Sequence, residues 1–328
     1  MIKKFLKDYV PYKYMKERRD KQHIEILKVQ EEPPVYNQRG ERKRVFYLED
    51  TLCQHTPYTL VLGQYPEKVL WDRNNVGLPI HFYSHESIWV EEKNYAKKKF
   101  ALLFESESIR ESEFVKAKND VSKMKEFNKI FTFSEQILNQ YENAAFLPAS
   151  GLWYGTDING GEWDEKLYEQ KEKNISVVAS NKQHSSYHKL RVQIAKDAME
   201  LGMADGYGAF CGNRINKKAD ALTPYRYSIV VENDVNAYYF TEKILDCFAS
   251  MTIPIYVGAT KINQFFNDEG IIVLKKEQYQ DIGSVLKECT KENYENRIDA
   301  IKDNWNRVKE YRCIEDYMMT HYAEEFEV

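Results

Sequence analysis

The sequence predicts an α/β protein built as two units, each a parallel sheet covered by helices. Three observations carry this. Strand-like apolar runs alternate with helix-like ones in both halves. A polar, Gly- and Asn-rich break at residues 156–172 separates the halves. A length of 328 residues suits two medium domains better than one large one.

The elements are justified in chain order. Residues 1–31 form a basic, aromatic arm, with Lys3, Lys4, Lys7, Lys13, Lys16, Arg18, Arg19 and Lys21 among Phe5, Leu6, Tyr9 and Tyr12. Such an arm can lie on an anionic membrane surface, but Pro11 breaks the helix early and favours a solvated arm. Residues 32–165 make the first Rossmann-like unit. Its strands are expected at Val45–Leu48, Thr59–Leu62, Phe100–Phe104, Lys129–Phe133 and Ala145–Leu147. Phe114, Val115, Val121, Met124 and Phe127 recur at helical spacing between them. Residues 166–328 make the second unit. Strands are expected at 175–179, 206–210, 227–231, 253–257 and 270–274, with helices at 187–202, 241–250 and 261–266. Tyr294, Ile298, Ile301, Trp305, Val308 and Tyr311 mark a long C-terminal helix. Two such units face each other across a cleft, and ligands gather at the carboxyl ends of the strands.

Composition excludes several classes. At 43% hydrophobic and 30% charged residues the chain has enough apolar surface to fold, so extended disorder is ruled out. The densest apolar stretch, Met251–Ala259, is far short of the roughly 18 residues that cross a bilayer. A net charge of −4 argues against a nucleic-acid partner held by bulk charge. Five scattered cysteines, none as C-x-x-C, indicate neither a zinc knuckle nor a disulfide framework. A reduced, cytoplasmic setting is expected, with the arm available for contact at the inner membrane face.

Three loops carry candidate chemistry. After Val231 the chain reads Glu232-Asn-Asp-Val-Asn-Ala-Tyr-Tyr-Phe-Thr-Glu-Lys243, a buried strand ending in an acid and an amide before a helix opens. Free N–H groups at a helix start favour anions. There Glu242 can accept from hydroxyls and Lys243 can neutralise phosphate; alternatively, Thr241 is simply an N-cap and Glu242 simply favours the helix dipole. After Ala179 a polar loop leads into a helix bearing Arg191, which can bind phosphate bidentately or be an ordinary surface cation. After Phe104 the run Glu105-Ser-Glu-Ser sets two carboxylates at a strand end, as a general base or as a solvated acid cluster.

Together these residues resemble a known family. The run Tyr227-Ser-Ile-Val-Val-Glu-Asn233, then Tyr239-Phe-Thr-Glu-Lys243, then Thr252-Ile-Pro-Ile-Tyr-Val-Gly258, is similar to the signature of the α-1,3/1,4-fucosyltransferases of glycosyltransferase family 10. Upstream, Val177-Val-Ala-Ser-Asn181 with Arg191 resembles the family's Ser-Asn loop and following Arg, and Phe104-Glu105-Ser106 its Glu-Ser loop. The resemblance implies a GT-B fold, two Rossmann-like domains facing a cleft with a C-terminal helical segment. It also implies inverting transfer from GDP-fucose without a metal or other cofactor. The acceptor it implies is a hydroxyl of a surface polysaccharide or lipid-linked oligosaccharide. Carried over by residue, Arg191 and Lys243 bind the diphosphate. Asn233, Tyr239 and Glu242 hold the nucleotide and its sugar, and Glu105 is the base. The absence of any Asp-x-Asp agrees with charge stabilisation by Arg191 and Lys243.

Two positions depart from the family pattern: Val231 stands for its Phe and Asp234 for its Ser. A different nucleotide-sugar donor therefore stays open, as does a non-catalytic nucleotide- or glycan-binding relative. Glu107 and Glu135 compete with Glu105 for the role of base. The remaining features are bland. His81 and His85 are four apart, but Ile80-His-Phe-Tyr-Ser does not read as helix and no third ligand stands nearby, so no metal is expected. His184 and His188 suit the surface, and Gly206, Gly208 and Gly212 are too sparse for a dinucleotide fingerprint.

Overall fold

The computed structural model describes residues 32–50, 60, 65–90 and 96–328. The basic arm lies outside these residues, as does most of the strand expected at 59–62.

The first half forms a seven-stranded sheet. Its strands are β1 (Val35–Tyr36), β2 (Arg42–Glu49), β3 (Val69–Asp72), β4 (Ile80–Ser84), β5 (Lys98–Leu103), β6 (Lys129–Thr132) and β7 (Ala144–Phe146). The order is β1-β2-β4-β5-β6-β7, with β3 also on β2. Every pairing is parallel except β1 with β2. Tyr47 pairs with Asp72 of β3 and with His81 of β4, so the chain crosses β2 between those strands and then winds one way. Parallel strands are buried on both faces, and the Phe-Ala-Leu-Leu run at 100–103 is apolar throughout for that reason. Strands β3 and β4 escape the sequence reading because Asp72, His81 and Tyr83 interrupt their apolar pattern.

The helix expected across 114–127 is two short ones, α1 (Glu111–Asn119) and α2 (Val121–Met124). Asp120 takes a non-helical backbone, and its carboxylate accepts the N–H of Lys123 at 3.1 Å, capping a new start. Helix α3 (Glu135–Gln140) follows β6.

The second half forms a five-stranded parallel sheet of β8 (Lys173–Val178), β9 (Asp205–Tyr207), β10 (Tyr225–Val231), β11 (Ile253–Val257) and β12 (Ile272–Val273), in the order β12-β11-β10-β8-β9. The helices beside it are α4 (Ser186–Glu200), α5 (Glu242–Ala249), α6 (Ile282–Glu288), α7 (Lys291–Glu295) and α8 (Ile298–Arg307), and α9 (Ile314–Tyr322) closes the series. The helix expected at 261–266 is a single 3-10 turn at Ile262–Gln264. The long C-terminal helix is likewise broken, into α7, α8 and a 3-10 turn at Val308–Tyr311.

The chain end crosses back. Residues 314–328, for which the sequence reading names no element, form α9 and a tail that pack on the first sheet. Phe326 inserts among Phe46, Phe82 and Phe100 at ring distances of 5.1–5.7 Å. Buried Glu315 accepts the N–H of Leu60 at 2.6 Å and the indole N–H of Trp71 at 2.8 Å. The core around these contacts continues through Phe240, Ile244 and Phe248, so one apolar cluster joins both halves.

Two histidines at β4 are buried as neutral rings. Burial pushes His81 down to about 4 and His85 down to about 3. The unfolded chain takes up protons at the ordinary 6.5, while the folded chain does not until far lower. Stability is therefore complete above 6.5, falls as pH drops below it, and levels off once both rings are protonated in each state. Urea denaturation between pH 4.5 and 7.5 should show this loss. Replacing both histidines by glutamine should make the profile shallower in that window, leaving the share of His188, which burial and the charge of Arg191 also push down to about 4.

Candidate active site

A cavity of about 380 Å³ opens where the second sheet reverses its strand order, between the carboxyl ends of β8 and β10. Reversal sends successive crossovers to opposite faces and leaves a crevice there. Ala179 and Ser180 line it from the exit of β8, Val231 and Asn233 from the exit of β10, and His188 and Arg191 from α4. Glu242, Lys243 and Cys247 come from α5, and Trp153, Asn159 and Lys218 from the connecting segments.

Arg191 is 6% exposed. One guanidinium nitrogen donates to Asn233 Oδ1 at 2.6 Å, while Nε is buried with no partner among the described residues. Burial lowers its pKa, opposed by the carboxylates of Glu232 and Glu242. A buried cation anchored only to a neutral amide lacks a direct counter-charge, and an anion in the cavity would supply one.

Lys243 is differently placed. Glu232, wholly buried at the end of β10, accepts the Thr241 N–H at 2.9 Å, the Thr241 hydroxyl at 2.7 Å and Lys243 Nζ at 3.2 Å. Thr241 caps α5, and its Oγ1 also accepts Lys243 Nζ at 2.9 Å. The Glu242 carboxylate stands 3.3 Å from the same ammonium. Burial works to raise Glu242, but Lys243 and Lys218 hold it ionised, at about 2. Lys243 is thus oriented and largely neutralised by two acids, so of these two cations Arg191 is the one with spare donor capacity. Gly258 makes room for this cluster: a Cβ there would lie 2.7 Å from Glu232 Cγ and 2.2 Å from the Tyr256 hydroxyl.

Lys218 and Asp246 were not legible in the sequence. Lys218 Nζ meets Asp246 Oδ2 at 2.6 Å and lies 5.3 Å from the Trp153 ring. Burial opposes the charge, but Asp246 and Glu242 outweigh it and raise the Lys218 pKa. Asp246 Oδ1 also accepts the N–H groups of Trp153 and Tyr154, both at 2.8 Å. The connecting segment is thereby bolted to α5.

Glu105 follows β5 in the other half. Its Oε1 accepts the Ser106 N–H at 2.8 Å, and it has no ion pair among the described residues. Its rivals are occupied. Glu107 binds Lys118 at 2.6 Å and the Ser134 hydroxyl, and Glu135 pairs with Lys261. Ser108 joins the two halves, its N–H to Asp234 Oδ2 and its hydroxyl to the Asn233 carbonyl, both at 3.2 Å. Tyr239 does not line the cavity. It is buried with its ring 4.8 Å from Phe133, and after burial the charges of Glu105, Glu232, Glu242 and Asp234 raise its pKa well above normal. So the fold brings Arg191, Asn233, Glu242 and Lys243 around one cavity and sets Tyr239 and Glu105 at the junction beside it.

Asp246→Asn should cost about 3 kcal/mol, because Lys218 is left mostly buried without its counter-charge. Chemical denaturation at pH 7 measures this, and a cost under about 1 kcal/mol would remove the ion pair from the framework of the site.

Comparison with known proteins bears on the same residues. Residues 168–308 match the family model for "Glycosyltransferase family 10 (fucosyltransferase) C-term". The chain is 34% identical over 61 residues to "Alpha-(1,3)-fucosyltransferase FucT" of Helicobacter pylori, a stretch that is 19% of this chain and 13% of that protein. Among solved structures, "Crystal Structure of alpha1,3-Fucosyltransferase with GDP" superposes with a TM-score of 0.50 at 15% identity, covering 82% of this chain and 89% of that one. Anabaena Alr3699/HepE in complex with UDP and glucose superposes at 0.52 with 8% identity, covering 85% and 98%. At these identities the structural likeness is one of fold. Residues 168–308 are therefore similar to the C-terminal domain of the family 10 fucosyltransferases, and the chain shares the GT-B fold of the structures it superposes on.

Proposed function

We propose that this chain transfers fucose from GDP-fucose to a hydroxyl of a surface glycan, with inversion at the anomeric carbon and no essential metal. The observation that carries the reading is Arg191, a buried guanidinium with an unpartnered Nε at a cavity on the strand-order reversal. The match to the family 10 C-terminal domain over the same residues supports it.

The chemistry assigns each group a task. The acceptor oxygen attacks the anomeric carbon while Glu105 takes its proton, and the bond from that carbon to the diphosphate oxygen breaks. Negative charge grows on the leaving diphosphate, where a fixed cation in a water-poor site stabilises it without reorganising. Arg191 supplies that charge, and Lys243 adds a smaller share because Glu232 and Glu242 already offset it. Asn233 keeps the guanidinium aimed, and Glu242 receives sugar hydroxyls. Glu105 fits the base better than Glu107 or Glu135, whose ion pairs would have to break first.

Calorimetry with GDP, UDP, CMP and dTDP, with and without EDTA, tests the donor. GDP should bind selectively and independently of EDTA. Arg191→Gln should weaken GDP at least about tenfold. Glu105→Gln should keep GDP affinity while losing about 100-fold or more of turnover. A preference for UDP would retain the fold and discard the donor. Failure to bind any nucleotide would favour a non-catalytic glycan-binding protein.

A further inference from the structure

We infer that His85 is a positioning residue for Glu105: its neutral imidazole accepts the two backbone N–H groups at the exit of β5 and so fixes where the carboxylate points. The inference rests on reading Glu105 as the base.

Strand β5 leaves its ladder at Leu103, so the next two N–H groups have no sheet partner. His85 stands just past the end of the neighbouring strand, β4, and its Nε2 accepts from Phe104 N at 3.3 Å and from Glu105 N at 3.2 Å. One lone pair facing two successive donors fixes the direction in which the chain turns out of the sheet. The next links carry that direction to the donor cavity. Glu105 Oε1 takes the Ser106 N–H, the Ser106 hydroxyl meets that of Ser108 at 2.8 Å, and Ser108 binds Asn233, the partner of Arg191.

The ring can do this only while Nε2 is unprotonated. An imidazolium would present an N–H to two N–H groups. The surroundings prevent it: His85 is wholly buried, the rings of Phe104 and Phe114 lie 5.1 and 6.3 Å away, and the charge of Arg110 adds to the cost of protonation. With Nε2 accepting, Nδ1 carries the proton, and it has no partner among the described residues. The backbone at His85 is left-handed, with φ at 48°, which a non-glycine residue adopts at some cost. An orphaned donor and a strained backbone together mark a residue retained for what its acceptor does.

Three variants separate the possibilities. His85→Gln places a carboxamide oxygen near the position of Nε2, while His85→Leu offers no acceptor. The two meet a similar backbone cost, so their difference isolates the hydrogen bonds. Turnover is read as GDP released from GDP-fucose with a glycan acceptor panel, GDP affinity by calorimetry, and loop order by hydrogen–deuterium exchange at residues 104–106. His85→Leu should lower kcat about 100-fold with GDP affinity within about twofold of wild type, since small misplacements of a reacting group carry such costs. It should also speed exchange at 104–106, and His85→Gln should restore most of both. Wild-type exchange at 104–106 in His85→Leu overturns the inference, as does failure of His85→Gln to recover beyond His85→Leu, which reduces the ring to packing. Glu105→Gln is the control. If it is inactive while His85→Leu turns over normally, the positioning role fails and the base assignment stands. If Glu105→Gln turns over normally, the base assignment itself fails.

Discussion

A buried carboxylate must be compensated on the spot, and Glu232 is such a group at the end of β10. It gathers the Thr241 N–H and hydroxyl and the Lys243 ammonium, and that gathering sets the first turn of α5 against the sheet. Breaking a pair of this kind leaves a naked charge in a poor solvent, which makes the arrangement close to all-or-none. The cavity wall depends on it, because Glu242, Lys243 and Cys247 project from that turn and the next. So does the glycine at 258, whose missing side chain is the space that Glu232 and Tyr256 occupy.

The halves of the molecule are held in register by three different kinds of contact. The terminal residues are hydrophobic staples, with Phe326 among the phenylalanines of the first sheet and Glu315 satisfying Leu60 and Trp71. The Lys218–Asp246 pair ties the connecting segment to α5 through the N–H groups of Trp153 and Tyr154. The Ser108 contacts to Asn233 and Asp234 are polar and small, and lie between the proposed base and the cavity. The first two are largely buried and set the framework. The third is the weakest of the three, since its hydrogen bonds are exposed and at 3.2 Å. Asp234, where the family pattern has Ser, is the acceptor in one of these contacts, so that departure falls on the junction between the halves.

The amino-acid sequence by itself determined the α/β class, the strands of the second sheet and the loops where chemistry gathers. Those features are local: an apolar run of five residues, a Thr before a Glu-Lys helix start, an amide after a buried acid. It also determined which residue types meet at the cavity, since Arg191, Asn233, Glu242 and Lys243 all stand at predicted strand ends or helix starts. Tertiary structure alone decided the rest. Strand β4 hides behind its buried His and Tyr, and a polar aromatic reads as surface until its neighbours are known. Lys218 sits in an ordinary lysine-rich loop and becomes a site residue only because Asp246, 28 positions away, faces it. Glu105, Glu107 and Glu135 look alike in sequence and differ only in which cation reaches them. Charge compensation and burial act through space, so the roles of ionisable groups emerge with the fold, whereas the pattern that drives the fold is written along the chain.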